Sequence, residues 1–216
     1  MYAKYIKRSI DIVLSVIVLP LVLLIILVIA PIIYIDNPGP IFYNASRRGK
    51  DGQSFKMFKL RSMYVNAPDL RNLDGSTFNS DNDPRVTKVG KFIRKTSLDE
   101  IPQLLNVLIG DMSFIGPRPA LSTKPYEELS DLSKARLAVR PGITGYAQAY
   151  YRNSITQEQK FKYDCYYIEH ISFVLDVKIL IYTVLVVLSS KNIYRSAEKT
   201  PNSMISEEEP AEAIGQ

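Results

Sequence analysis

Two adjacent carboxylates, Asp99 and Glu100, are the side chains of this sequence whose type and position are best suited to chemistry. Pro102 follows them, and because proline fits only the first turn of a helix while apolar residues then recur at helical spacing up to position 109, a helix is predicted to begin here. At a helix mouth the free backbone N–H groups and the positive dipole end favour anions. A nucleophile, a metal ligand or a phosphate site would therefore be well placed at this pair.

The same segment also fits a purely structural interpretation. Ser97 and Glu100 have the spacing of a capping box, in which the Glu100 side chain would accept a hydrogen bond from the Ser97 backbone N–H. Taken alone, the segment leaves both the helix cap and the reactive pair open.

Several basic side chains could neutralise a phosphorylated substrate. Arg118 lies between two prolines, which restrict the backbone and would hold its guanidinium for bidentate phosphate contact, although an exposed arginine in a structural turn fits equally well. In the segment 140–145 (RPGITG) the glycines could let backbone N–H groups approach an anion, although an ordinary turn is as economical. The candidate substrate-binding residues are Lys59, Arg94, Arg118, Arg140 and Arg152.

The composition limits the alternatives. The 216 residues include one cysteine, Cys165, and one histidine, His170, so an intramolecular disulfide is impossible and a serine–histidine or zinc mechanism lacks its parts. His170 ends a helix-like run, where it is more typical of a helix C-terminal partner than of a catalyst. The net charge of +5 suggests a polyanionic partner. Nucleic acid is not expected, because no nucleic-acid-binding motif is recognised.

The stretch 12–35 contains no charged residue and is long enough, as a helix, to cross a bilayer core. Basic residues flank it on both sides: Lys4, Lys7 and Arg8 before it, and Arg47, Arg48, Lys50, Lys56, Lys59 and Arg61 after it. This symmetry gives no bias for a spanning orientation, and Pro20 is expected to kink the helix. A re-entrant helix with both flanks in the cytoplasm is therefore favoured over a straight crossing.

The remaining pattern is mostly helical. Short strands are predicted at 41–43 and 54–60 around a turn at 48–52, followed by a polar loop at 66–83 and a basic amphipathic helix at 85–95 suited to a membrane surface or to solvent. Further helices are predicted at 127–138, at 156–169 with a capping box at its start, and at 173–188 as an interfacial helix.

The predicted fold class is mainly α with a small β-hairpin (α+β). Three parts follow along the chain: a re-entrant membrane helix at 1–38, a compact cytosolic membrane-associated domain at 39–194 that carries the carboxylate pair, and a disordered acidic tail at 195–216.

Four segments, taken in order and spacing, resemble a known family. They are 59–63 (KLRSM), 94–103 (RKTSLDEIPQ), 110–119 (GDMSFIGPRP) and 140–145 (RPGITG). Together they resemble the monotopic polyprenol-phosphate phosphoglycosyl transferases, the bacterial sugar transferases that initiate surface-glycan synthesis. The resemblance extends from about residue 4 to about residue 194.

The resemblance implies a reaction and roles for the candidate residues. Asp99 would attack the sugar-bearing phosphorus of a UDP-sugar and release UMP, and the phosphate of a polyprenol carrier, undecaprenyl phosphate, would then take the sugar-phosphate from the enzyme. Glu100 would bind Mg²⁺, and Lys59, Arg94, Arg118 and Arg152 would contact phosphate or nucleotide. The expected location is the bacterial inner membrane, with the catalytic domain facing the cytoplasm.

The sequence also departs from the family pattern. Members of the family usually have a Ser-Pro pair at the break in the re-entrant membrane helix, whereas here Leu19 and Pro20 lie about one turn earlier. Gln157 stands where relatives often have tryptophan, and 150–153 (YYRN) replaces a segment richer in glycine, so the sugar and base selection are expected to differ.

Two other function classes stay open. A true glycosyltransferase would use the same nucleotide and metal but release UDP. A non-enzymatic basic module would bind anionic lipid through 85–95. The sugar, the glycan pathway and whether the chain forms a homo-oligomer are not determined by the sequence.

Overall fold

A long apolar helix, α1 (Lys7–Asp36), dominates the N-terminal part of the computed structural model, which describes residues 2–70, 78, 80, 82–122, 124–151 and 154–189. With the π-helical turn Tyr2–Ile6 before it, α1 is the one helix in those ranges that is long and apolar enough to cross a membrane. The helix continues through Pro20 and Pro31, so the predicted break at Pro20 does not interrupt it.

The predicted hairpin is confirmed and is part of a larger sheet. β1 (Ala45–Arg48) and β2 (Ser54–Met57) are antiparallel, and their connection contains Asp51 in a left-handed conformation. The strands are shifted from 41–43 and shortened from 54–60, although Phe42 still forms an isolated bridge to Leu60. β4 (Ala120–Leu121), which the pattern did not predict, pairs with the other edge of β1.

A second small sheet was also not predicted. β3 (Ser113–Ile115) and β5 (Gly142–Thr144) pair in parallel. A glycine is required at position 142, because a Cβ there would lie 2.1 Å from the backbone nitrogen of Gly116. The backbone that follows β3 therefore packs directly against the backbone of β5.

Six further helices complete the described fold. They are α2 (Lys88–Lys95), α3 (Gln103–Ile109), α4 (Asp131–Ala135), α5 (Tyr146–Tyr150), α6 (Gln157–Glu169) and α7 (Phe173–Ser189). The mainly helical fold with a small sheet component is thereby confirmed.

Several helices begin or end at residues other than those predicted, and local interactions explain some of these differences. The basic helix predicted at 85–95 begins only at Lys88, because Thr87 caps it and Arg85 is instead buried in an ion pair with Asp83. The helix predicted at 127–138 is restricted to the short α4. The capping box predicted for α6 is confirmed, with Thr156 and Gln159 bonded reciprocally.

The apolar core joins α1 to the rest of the chain. One cluster contains Ile29 and Ile33 of α1 with Leu60 and Ile93, and further clusters lie beneath α3 and between β3, α6 and α7. Half of the predicted loop 66–83 and all of the tail 195–216 lie outside the described residues, so the division into domains stays a prediction.

Candidate active site

The carboxylate pair lies in a 3₁₀ turn, Leu98–Glu100, one turn before α3 rather than inside the first turn of that helix. Pro102 immediately precedes α3. The capping-box alternative is wrong, because Ser97 is left-handed and its backbone N–H donates to the Arg94 carbonyl instead. The Glu100 side chain is therefore directed to partners outside its own turn.

Lys59 is the cation that contacts both carboxylates of the pair. Its Nζ lies 2.7 Å from Oδ2 of Asp99 and 3.1 Å from Oε1 of Glu100. The backbone fixes this approach, since the Leu60 N–H donates to the Asp99 carbonyl at 2.9 Å. The Asp99 side chain is only 5% exposed, so Lys59 is its charge partner in a largely dry position.

Arg118 is the second cation at the carboxylate pair and contacts Glu100. Its Nη2 donates to Oε1 of Glu100 at 2.9 Å, while 54% of its side chain stays exposed. Pro117, on one side of it, accepts a hydrogen bond from the Gly142 N–H. The guanidinium is thus anchored at Glu100 and still accessible to an incoming anion.

These contacts have clear electrostatic consequences. Burial alone would raise the pKa of Glu100, but the positive charges of Arg118 and Lys59 outweigh it and hold that pKa well below its usual value. Burial alone would lower the pKa of Lys59, but Glu100 and Asp99 raise it overall. The charge of Glu100 raises the pKa of Arg118. Glu100, Lys59 and Arg118 therefore stay charged at neutral pH.

The arrangement suits phosphoryl chemistry at a carboxylate. Asp99 and Glu100 are oxygen nucleophiles or ligands, and two cations beside them can offset the charge of a substrate phosphate.

A divalent cation also fits the residues. Within the described ranges no group of three or more His, Cys, Asp or Glu side chains is placed to hold a metal ion. Mg²⁺ does not require such a group, because it is commonly bound by one or two carboxylates together with waters and substrate phosphates. Lys59 and Arg118 both contact Oε1 of Glu100, and a metal ion at this carboxylate would lie beside these two cations.

Residues 2–190 match the sequence profile of the family described as bacterial sugar transferase. The chain belongs to the bacterial sugar transferase family. This bacterial sugar transferase is 40% identical over 188 residues to the UDP-glucose:undecaprenyl-phosphate glucose-1-phosphate transferase of Escherichia coli K12, covering 84% of this chain and 40% of that relative.

Two other relatives have the same level of identity. The UDP-N-acetylgalactosamine-undecaprenyl-phosphate N-acetylgalactosaminephosphotransferase of Aeromonas hydrophila is 40% identical over 190 residues, 86% of this chain and 44% of that protein. The uncharacterized sugar transferase EpsL of Bacillus subtilis strain 168 is 40% identical over 195 residues, 90% of this chain and 93% of that protein. The chain thus spans less than half the length of the first two relatives and nearly all of the third.

The other basic candidates of this bacterial sugar transferase differ in placement. Arg94 is half-buried in the last turn of α2, just before the turn that carries the carboxylates, and its charge helps to lower the pKa of Asp83. Arg140 lies at the far end of α3, where its Nε donates to the Gly110 carbonyl at 2.7 Å. The structure therefore brings Lys59 and Arg118 to the pair but not Arg140. Arg152 lies outside the described residues.

Two residues that support the site were not found from the sequence. Asn106 is fully buried in α3, accepts from the Phe58 N–H at 2.8 Å and donates to the Lys56 carbonyl at 2.8 Å. These bonds fix the strand that leads to Lys59. The sequence signal that could have identified Asn106 is its amide side chain, which stands alone among the apolar residues of 104–109. Arg136, the second, had no distinguishing local pattern.

Proposed function

We propose that this bacterial sugar transferase moves a sugar-1-phosphate from a UDP-sugar to undecaprenyl phosphate and releases UMP. The observation that carries the proposal is the buried Asp99 paired with Lys59, beside a Glu100 that is held between Lys59 and Arg118. The names of the Escherichia coli and Aeromonas hydrophila relatives describe this class of transfer with different sugars.

Substrate binding rests on the cations. The exposed part of the Arg118 guanidinium receives a phosphate oxygen of the nucleotide, and Lys59 offsets charge on the oxygens next to Asp99. Glu100 would hold Mg²⁺, which when bound would supply further neutralisation of the diphosphate.

The transfer proceeds in two displacements. An Asp99 carboxylate oxygen forms a bond to the sugar-bearing phosphorus, and the bond from that phosphorus to the bridging oxygen breaks, so UMP leaves with the electron pair. The enzyme then carries the sugar-phosphate as an acyl phosphate. A phosphate oxygen of undecaprenyl phosphate attacks the same phosphorus and frees the Asp99 carboxylate.

The membrane helix is proposed to be re-entrant, with the site on the cytoplasmic face of the inner membrane. Near its N-terminal end, Lys7 pairs with Asp176 of α7 at 2.6 Å. At its C-terminal end, the Asp36 carboxylate accepts from the Val89 N–H of α2 at 3.1 Å. One end is therefore bonded to α7 and the other to α2, both of which belong to the chain that follows α1. These contacts support the proposal that both ends lie on one side of the bilayer. A nucleotide and a lipid phosphate can then meet at the membrane surface.

The deciding experiment separates the first displacement, which releases UMP, from the transfer of the sugar-phosphate to the lipid. Purified protein is incubated with Mg²⁺ and a panel of UDP-sugars without lipid, and released nucleotide and intact protein mass are measured together. We expect at most about one equivalent of UMP per enzyme and a matching sugar-phosphate adduct, followed by turnover only when undecaprenyl phosphate is added.

Other outcomes favour the alternatives. UDP as the product would indicate a true glycosyltransferase. UMP that is released only with lipid, without an adduct, would indicate direct attack by the lipid phosphate. Lipid binding with no nucleotide release from any UDP-sugar would favour a basic membrane module.

A further inference from the structure

Arg136 has three polar contacts and touches neither carboxylate of the pair. It lies at the C-terminal cap of α4 and is buried. Its Nε and Nη2 contact Oδ2 of Asp164 at 2.9 and 2.6 Å, and its Nη2 also donates to the backbone carbonyl of Arg118 at 2.8 Å. The guanidinium carbon lies 4.1 Å from the centre of the Phe161 ring, so this side chain is held on several sides.

The contact with Arg118 is the last of three consecutive anchors on one segment. The Gly116 N–H donates to the Thr144 carbonyl at 2.9 Å, and the Pro117 carbonyl accepts from the Gly142 N–H at 2.9 Å. Both of these anchors come from the backbone of β5. The third comes from the Arg136 side chain alone.

The two prolines make this third anchor important. Pro117 and Pro119 have no backbone N–H, so the segment has few donors with which to fix itself. Arg118 carries the guanidinium that contacts Glu100. A shift of the Arg118 backbone would therefore move its side chain relative to Glu100 and to any bound phosphate.

We propose that Arg136, oriented by Asp164, is a positioning residue that sets the place of Arg118 in the active site. The inference rests on the proposed function. A guanidinium fork can contact the Asp164 carboxylate and the Arg118 carbonyl at once, while a lysine ammonium has no such planar geometry. The alternative is a purely structural role, in which the ion pair only joins α4 to α6.

A double-mutant comparison distinguishes these roles. Arg136→Lys is made in the natural chain and in an Arg118→Met background, and kcat/KM for an active UDP-sugar is measured in each. We expect Arg136→Lys to lower kcat/KM by about tenfold in the natural chain. In the Arg118→Met background, the same substitution should lower kcat/KM by less than about twofold. The same fold-loss in both backgrounds would overturn the proposal.

A second buried ion pair provides the matched control. Arg85 pairs with Asp83 at 2.7 Å and also donates to a backbone carbonyl, that of Pro68. Arg85→Lys disturbs the fold in a similar way, but none of its described contacts is with Arg118. We expect its effect on kcat/KM to be the same in both backgrounds.

Hydrogen exchange gives a readout that does not depend on activity. Without substrate, peptides covering 113–122 should exchange faster in Arg136→Lys than in the natural chain, while peptides from α2 stay unchanged. If Arg136→Lys does not fold, the apolar pair Arg136→Met with Asp164→Leu replaces it in both measurements, because buried ion pairs often tolerate such exchange.

The two failures are distinguishable. If no UDP-sugar supports release of UMP by the natural chain, the proposed function fails and the exchange measurement alone decides the inference. Unchanged exchange at 113–122 overturns the positioning role whether or not the enzyme is active.

Discussion

Asp99 differs from the other charged residues of the site because it is the most buried of them and is in direct contact with Lys59. Asp99→Asn replaces one oxygen by nitrogen, and the backbone bond from Leu60 to the Asp99 carbonyl is retained. We expect UMP release to fall by on the order of 10³-fold or more, with membrane association and thermal stability nearly normal. Lipid-dependent UMP release and flotation with vesicles check this. Substantial remaining turnover would exclude Asp99 as the nucleophile.

Glu100 is expected to act through a bound cation. Glu100→Gln keeps the shape of the side chain but removes the charge that pairs with Arg118 and that is proposed to bind Mg²⁺. Activity should be lost at ordinary Mg²⁺ and partly restored at high Mg²⁺, which a titration of initial rate against Mg²⁺ measures. An unchanged Mg²⁺ requirement with full activity would contradict the metal-ligand assignment.

The charge of Arg118 contributes, with that of Lys59, to the lowered pKa of Glu100. Since the pKa of Glu100 is lowered in the folded protein, the stability gained from its ionised form is present above its unfolded pKa and is lost as pH falls through the folded value. Arg118→Met removes one of the charges that lower it, so the pKa of Glu100 should rise. The acid limb of kcat/KM, followed from neutral pH down to below the usual pKa of a glutamate, about 4.3, is then expected to move to higher pH. An acid limb identical to that of the natural chain would show that Glu100 ionisation does not limit the reaction.

At the scale of elements, Asn106 joins α3 to the strand that precedes Lys59. Asn106→Leu is similar in size but leaves the Phe58 N–H and the Lys56 carbonyl without this partner in a buried place. We expect a loss of about 2–4 kcal/mol of stability, seen as a melting temperature lower by several degrees. Asn44→Leu, at an exposed position, is the control and should change the melting temperature little. Equal shifts for the two variants would show that the Asn106 bonds do not hold these elements together.

At the scale of the whole molecule, both ends of α1 are bonded to later parts of the chain. The N-terminal end is fastened by Asp176, which accepts from Tyr2 and Lys7 at 2.6 Å each, and by Arg8, which donates to the Val107 and Leu108 carbonyls at the end of α3. The middle of the helix exposes apolar side chains such as Ile17 and Leu21. Exposed apolar side chains between two fastened ends suit contact of the middle of the helix with lipid.

The topology is tested by labelling. Ala3→Cys and Asn44→Cys, both at exposed positions, are made in a Cys165→Ser background and treated with an impermeant thiol reagent in intact cells and in inverted vesicles. We expect both sites to react only in the inverted vesicles, because both flanks are proposed to be cytoplasmic. Reaction of the two sites from opposite sides would establish a spanning helix.

The sequence by itself determined the features that depend on neighbours a few residues apart: the helix over the uncharged stretch 12–35, the hairpin of β1 and β2, the capped start of α6, and the adjacent carboxylates before α3. Tertiary structure alone decided which distant groups meet. It directed Glu100 to Lys59 and Arg118 instead of to Ser97, placed Arg140 at the far end of α3, and brought Arg136 to the Arg118 carbonyl. The physical reason is the distance along the chain over which each interaction acts. Periodicity and capping act within one or two turns, whereas the partner of a buried charge is set by packing of segments far apart in the chain.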